Sequence, residues 1–233
     1  MSTGRKAAFF DIDGTLIKGL IICVFPDYLA GKGFFDKKAN ERIQELLRLY
    51  KTRKVSYRYI AVRIPNLYAA GIKGRRRSEI RKLASAFIRG YRKNIFHYSK
   101  RLVSLMNDAG FLTIAISGSP VEAIRALEMG FGEVYGSEMQ VRDGIYTGKV
   151  GRNLIIAEEK RKLLGSIIRK HRIDLKDSFA FGDTEQDLPM LSRVGNPLPL
   201  NPAPLLRNAA KERGWRITSD VLKDVRKLLL CQV

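Results

Sequence analysis

The sequence predicts an α/β protein in which a parallel sheet is interrupted, after its first strand, by an all-helical insertion. Two observations carry this expectation. Three apolar runs, at residues 7–11, 111–117 and 178–183, each close on polar or glycine residues. Runs of that kind are how strands covered on both faces read. Residues 17–100 contain few strand patterns and repeat their apolar side chains at helical spacing instead.

Taken in order, Ala7-Ala-Phe-Phe-Asp11 forms the first strand. In the insertion, residues 37–50 set Ile43, Leu46, Leu47 and Tyr50 on one helical stripe. Residues 78–91 do the same with Ile80, Leu83, Ala84, Phe87 and Tyr91, and Ser78 is placed to cap that helix. After the second strand, Ser119 is expected to cap a helix over residues 121–129, with Pro120 at its first position. Residues 157–171 carry Leu163, Leu164, Ile167 and Ile168 on one face, and the third strand follows. A last helix is expected over residues 220–230. Strands alternating with helices indicate a parallel core. The chain is thus divided into a core of residues 1–16 and 100–233 and a helical domain of residues 17–99.

The 233 residues suffice for a sizeable core without disulfides. Cys23 and Cys231 are the two cysteines, with no CxxC pair and no Cys/His zinc spacing, a usage that suits a reducing cytoplasm. No signal-peptide pattern opens the chain. The most apolar stretch, residues 20–25, falls far short of the ~20 residues a spanning helix requires. Charge is the unusual feature. The formal net charge is +20, and residues 17–100 hold 21 basic against 5 acidic residues, the remainder 22 against 18. One segment carries most of the positive field.

Chemistry is suggested where the strands end. In Asp11-Ile12-Asp13-Gly14-Thr15-Leu16, alternation along an extended backbone sends Asp11 and Asp13 to the same side, and Gly14 lets the chain bend away. Open α/β sheets bind ligands at such carboxyl edges. Two carboxylates this close repel one another. A hard dication with oxygen ligands removes the conflict, and Mg²⁺ is the common choice. Ser117-Gly118-Ser119-Pro120 offers a hydroxyl and backbone N–H groups at a helix start, a phosphate cradle. Asp183 closes the third strand and Asp187 follows one helical turn later, so both can face one site. Lys160 sits in a first helical turn, where acids are favoured, and is the candidate for neutralising a phosphoryl group; Lys149 and Lys162 compete for the role. Each feature alone has an ordinary structural explanation, as an acidic turn, a serine cap or a solvated lysine. A parallel sheet would converge them.

In this order, the DxDGT motif of residues 11–15, Ser117-Gly-Ser119, Lys160 and Gly182-Asp-Thr-Glu-Gln-Asp187 resemble the motif series of the haloacid dehalogenase superfamily. A helical insertion directly after the first motif is similar to the branch that contains phosphoserine phosphatase. Gly195-Asn-Pro197, Asn201-Pro202, Glu212-Arg-Gly-Trp215 and Asp143-Gly-Ile-Tyr-Thr-Gly148 also resemble that branch. The resemblance covers residues 1–16 and 100–217. It implies a Rossmann-like core with a helical cap, and a Mg²⁺-dependent phosphatase acting in two steps. Asp11 would be the nucleophile that becomes an aspartyl phosphate, and Asp13 the general acid and then base. The metal would be held by the Asp11 carboxylate, the Asp13 main-chain carbonyl and Asp183, with Asp187 close by. Ser117, Gly118 and Lys160 would bind the phosphoryl oxygens.

By the same resemblance the insertion chooses the substrate. Phosphoserine phosphatases carry an acid shortly after the first motif to meet the substrate amine, and Ile17-Lys-Gly-Leu-Ile-Ile22 has none. An anionic or apolar-tailed phosphomonoester is expected instead, such as a phospholipid head group or another small phosphorylated metabolite. Transfer of the phosphoryl group to an alcohol acceptor remains open. So does a binding role for the basic insertion, where Arg48, Lys51, Arg53, Lys54, Arg58 and Arg63 interleave with Tyr50, Tyr57 and Tyr59. An anionic membrane surface would gain ~1 kcal/mol from each nearby Lys or Arg. Nucleic acid, with tyrosines stacking on bases, fits less well. The plain alternative is a solvated helix face. The expected location is the cytoplasm, with a peripheral place at the inner face of the membrane if the basic surface binds lipid.

Overall fold

The computed structural model describes residues 4–218 and 220–230. Cys231 lies outside the described residues. Six strands form one sheet in the order β4-β3-β2-β1-β5-β6. They are β1 (Ala7–Phe10), β2 (Leu112–Pro120), β3 (Glu133–Arg142), β4 (Ile145–Arg152), β5 (Phe179–Gly182) and β6 (Asn196–Pro199). Every pairing is parallel except the β3–β4 hairpin.

The apolar runs are continuous because both faces of the sheet are covered. Ala7 and Phe9 pack with Leu163, Leu164 and Ile167 of α7 (Ala157–His171). Ala8 and Phe10 face the opposite way, where Phe10 stacks on Phe181 at 4.6 Å. Ser178, fully buried, ties the strand starts together. Its hydroxyl accepts from the Ala7 N–H at 3.0 Å and donates to the Asp174 carbonyl.

Between β1 and β2 lie α1 (Ile21–Gly31), α2 (Lys37–Lys51), α3 (Tyr57–Gly71), α4 (Arg77–Tyr91) and α5 (Ser99–Asp108). Asp36 caps α2, accepting from the Ala39 N–H at 2.8 Å, and Ala39, Ile43 and Leu47 form its buried stripe. Ile21, Phe25, Ile43, Ile64 and Tyr68 join the same apolar cluster as Phe10, so the insertion is built onto one sheet face. Most of residues 20–25 pack inward, with Leu20 and Val24 left exposed.

The insertion enters and leaves through a paired neck, where Lys18 N–H donates to the Asn94 carbonyl and Phe96 N–H to that of Leu16. It is fastened at its far side too. Gly74 N–H donates to the Tyr146 carbonyl, Tyr146 N–H to that of Arg75, and Arg77 N–H to that of Gly144, at 2.8–3.0 Å. Arg77 also pairs with Glu122 at 3.1 Å.

Three expectations need correction. Ser78 does not cap α4, which begins one residue earlier; there the Glu79 carboxylate accepts the Arg76 N–H. Ser119 is not a helix cap, because β2 continues through it to Pro120. The helix after it, α6 (Val121–Arg125), is one short stretch rather than residues 121–129. The N–H groups of Leu127 and Glu128 bond three residues back instead of four, and Glu128 then turns left-handed with φ 48° to feed β3.

The remaining helices are α8 (Leu188–Leu191), α9 (Pro204–Glu212) and α10 (Val221–Leu230). Replacing Ser178 with alanine leaves the buried Ala7 N–H without its acceptor. It is expected to lower the unfolding free energy by about 1–3 kcal/mol, read as a lower urea midpoint at unchanged slope.

Candidate active site

At the carboxyl end of β1 the chain continues into Asp11 and Asp13, both buried. Asp13 accepts from the Ile21 N–H at the start of α1 (2.7 Å) and from the Ser117 hydroxyl (2.7 Å). It thereby acts as a remote acceptor for an unpaired helix N-terminus, a placement that favours its anion. Burial nevertheless raises its pKa, while the Ile21, Ser117 and Ser119 hydrogen bonds pull it back. Gly14 follows with φ +87°, and a Cβ there would lie 1.9 Å from Asp183 Oδ2. Only glycine lets the Asp183 carboxylate approach the β1 loop so closely.

Tyr98 and Ser99 hold that loop from below, through hydrogen bonds to the Thr15 and Leu16 carbonyls at 2.7 and 2.6 Å. Asn201 Nδ2 donates to the Tyr98 hydroxyl at 2.9 Å. The Thr15 hydroxyl lies between Asp11 Oδ2 (3.3 Å) and Asp183 Oδ1 (3.2 Å).

Lys160 reaches over from the first turn of α7. Its ammonium donates to Asp11 Oδ1 at 2.8 Å and to Asp187 Oδ1 at 2.9 Å. Burial works against that charge, but the two carboxylates more than offset it and raise the lysine pKa. Its competitors are elsewhere: Lys162 pairs with Glu159 on the surface, and Lys149 is exposed on β4. Asp187 is held in place by its other oxygen, which accepts from the N–H groups of Asp183 and Thr184 at 3.2 and 3.1 Å. The turn carrying it is 3-10, not the α-helical turn expected.

Asp11, Asp183 and Asp187 each bring a carboxylate oxygen within 4.8 Å of the others. Burial and then the neighbouring Asp187 push Asp11 well up and Asp183 to about 7. One lysine does not balance this much negative charge. An all-oxygen donor set of this kind fits a hard divalent cation, which the three carboxylates can hold. The Asp13 side chain does not belong to that group, facing Ser117 and α1 instead.

The expected site residues are therefore brought together, with one difference of detail. Ser117 is fully buried against Asp13 and accepts the Ser119 N–H, whereas Gly118 and Ser119 line the cavity beside the carboxylates. The Ser119 hydroxyl accepts the Ile22 N–H at 3.0 Å, fixing α1 to the end of β2. Thr15, Ser119 and Asn201 stand in the motif segments of the sequence, but their individual roles as hydrogen-bonding partners are visible only in the fold. Tyr98 carries no local pattern that marks it.

Above the carboxylates is a cavity of about 250 Å³. Its core side includes Asp11, Asp13, Lys160, Asp183 and Ile155, and its other wall comes from α1, α2 and α3. The Tyr57 hydroxyl donates to the Ile155 carbonyl at 3.1 Å, and Asn153 Nδ2 to that of Ala61 at 2.9 Å, joining the two walls.

A parallel sheet that gathers acids and a lysine from three distant segments at its carboxyl edge defines an α/β enzyme with a carboxylate cluster able to hold a metal ion. The chain belongs to the haloacid dehalogenase-like hydrolase family, whose model matches residues 8–192. Phosphoserine phosphatase SerB1 of Mycobacterium tuberculosis is 30% identical over 221 residues, covering 91% of this chain and 70% of that one. Histidinol-phosphatase of Neisseria meningitidis is 26% identical, covering 91% and 98%. A Bordetella pertussis protein of unknown function has a similar solved structure, with TM-score 0.77 and 25% identity over 93% of this chain and 99% of that chain.

Gly14→Ala should displace Asp183 and weaken divalent-metal affinity about 10–100-fold by calorimetry, with circular dichroism confirming a retained fold.

Proposed function

We propose that the protein is a Mg²⁺-dependent phosphatase that hydrolyses a phosphomonoester through an aspartyl phosphate on Asp11. The observation that carries this reading is the junction of Asp11, Asp13, Lys160 and Asp183 on one cavity floor, in a chain of the hydrolase family. Curated relatives named as phosphatases support the reaction class.

Asp11 attacks phosphorus in line with the leaving oxygen and takes the phosphoryl group. Lys160, already at Asp11, pairs with a phosphoryl oxygen as that group arrives and steadies its charge. Asp13 gives its proton to the leaving alcohol, and burial that raises its pKa helps it to hold that proton beforehand. In the second step Asp13 takes a proton from water, which attacks the aspartyl phosphate and restores Asp11. The Ser117 hydroxyl, now on Asp13, and the Gly118 main chain receive the remaining phosphoryl oxygens. Mg²⁺ held by Asp11, the Asp13 carbonyl and Asp183, with Asp187 close by, supplies charge neutralisation on the transferring group. Residues 17–99 act as the cap that excludes water. Cysteine usage supports a cytoplasmic setting, and no helix among the described residues is long and apolar enough to cross a membrane.

Two measurements test the mechanism. Asp11→Asn should lower kcat by about 10⁴-fold or more and abolish acid-stable labelling of the protein by a ³²P-phosphomonoester trapped in the steady state. Lys160→Met should cost about 10²–10³-fold in kcat. Full activity in Asp11→Asn, or turnover undiminished by exhaustive chelation, would refute the proposal.

A further inference from the structure

The insertion holds 21 basic residues in the segment 17–100, yet the wall it gives to the cavity is apolar. Leu20, Ile22, Leu47, Tyr57, Ile60 and Ile64 form most of that wall, and among the described residues Lys160 is the one basic residue lining the space. Among the described residues, no lysine or arginine of the insertion lines the cavity, so none is in place to contact an anionic leaving group. Tyr57 adds little polarity, because its hydroxyl is turned to the Ile155 carbonyl and its ring is left to the cavity. Lys160 is spoken for by Asp11 and Asp187.

An anionic leaving group would have to shed its water here without a partner of opposite sign. That is costly, whereas each methylene placed against such a wall is favourable. Among the described residues, the one carboxylate lining the cavity outside the motif acids Asp11, Asp13 and Asp183 is Glu185. It comes from the loop after β5 rather than from the insertion, and Gln186 Nε2 donates to it at 3.4 Å. We infer that the cavity formed by α1, α2 and α3 takes an uncharged, apolar alcohol moiety, aliphatic or aromatic, so that the substrate is the phosphate ester of such an alcohol. This rests on the phosphatase reading above and narrows it. Of the two expected kinds of substrate, anionic or apolar-tailed, it takes the second; the first followed from the net charge of the insertion, a count that does not say where that charge faces.

The experiment is a comparison of kcat/KM in Mg²⁺ for ethyl, butyl, hexyl and phenyl phosphate against serine phosphate and glycerol 3-phosphate. Values should rise about three- to fourfold per methylene until the cavity is filled, and hexyl or phenyl phosphate should exceed both polar esters by about 10²-fold or more. Ile60→Ala and Leu20→Ala each remove wall area; the second changes a side chain 48% exposed, so folding is little at risk. Each variant should reduce the ratio of hexyl to ethyl phosphate kcat/KM several-fold. Preference for serine phosphate, lost in Glu185→Gln, would overturn the inference and assign amine recognition to that carboxylate. Preference for glycerol 3-phosphate, or a flat series, would overturn it too. In each of these outcomes the phosphatase reading survives. Failure to cleave any ester would instead overturn that reading, and this inference with it.

Discussion

The ammonium of Lys160 is wedged between Asp11 and Asp187, and the arrangement of the site follows from it. Asp187 anchors the loop after β5, while Asp11 ends β1. Three segments far apart in sequence are thus joined by one side chain in a place nearly closed to water. Losing one partner of such a buried pair typically costs about 3–5 kcal/mol, because the charge left behind has no solvent. One ammonium among Asp11, Asp183 and Asp187 still leaves the cluster with more carboxylates than cations. A stable local fold and an appetite for a cation have one origin.

The sheet makes that encounter possible. Parallel strands put β1, β2 and β5 side by side with their carboxyl ends aligned, and ligands gather at such edges. The neighbours of the site then do double duty. Asp13 serves the first N–H of α1, Ser119 serves the second, and Asp187 caps its own turn while holding Lys160. The groups are positioned by hydrogen bonds that the fold needs in any case, which limits their freedom before any substrate arrives.

Much of this was legible in the sequence, because apolar runs and strand-end acids are local patterns. The strands around Phe9, Ile114 and Ala180, the helix from Ala157 to His171, and the meeting of Asp11, Asp183, Asp187 and Lys160 could all be read. What could not be read depends on partners remote in the chain. Glu133–Arg142 and Asn196–Pro199 are strands at or near the sheet margins; the first is only partly buried and the second carries two prolines, so neither shows the signature of a covered strand. Ser119 looked like a cap because its local sequence permits one, and a tertiary bond from Ile22 claimed it. The orientation of the insertion's charge escaped for the same reason. A count of lysines and arginines gives the field of a segment and says nothing of which way each side chain points.

The fastening of the insertion at two places has a mechanical consequence. Its neck at Leu16–Phe96 and Lys18–Asn94 resembles a hinge, but the far side is stitched by main-chain bonds to the tip of the β3–β4 hairpin. A swing about the neck must therefore either tear those stitches together or drag the hairpin along as a lever. In the second case the moving body is larger than the inserted helices, and the opening of the cavity is tied to how readily two strands bend.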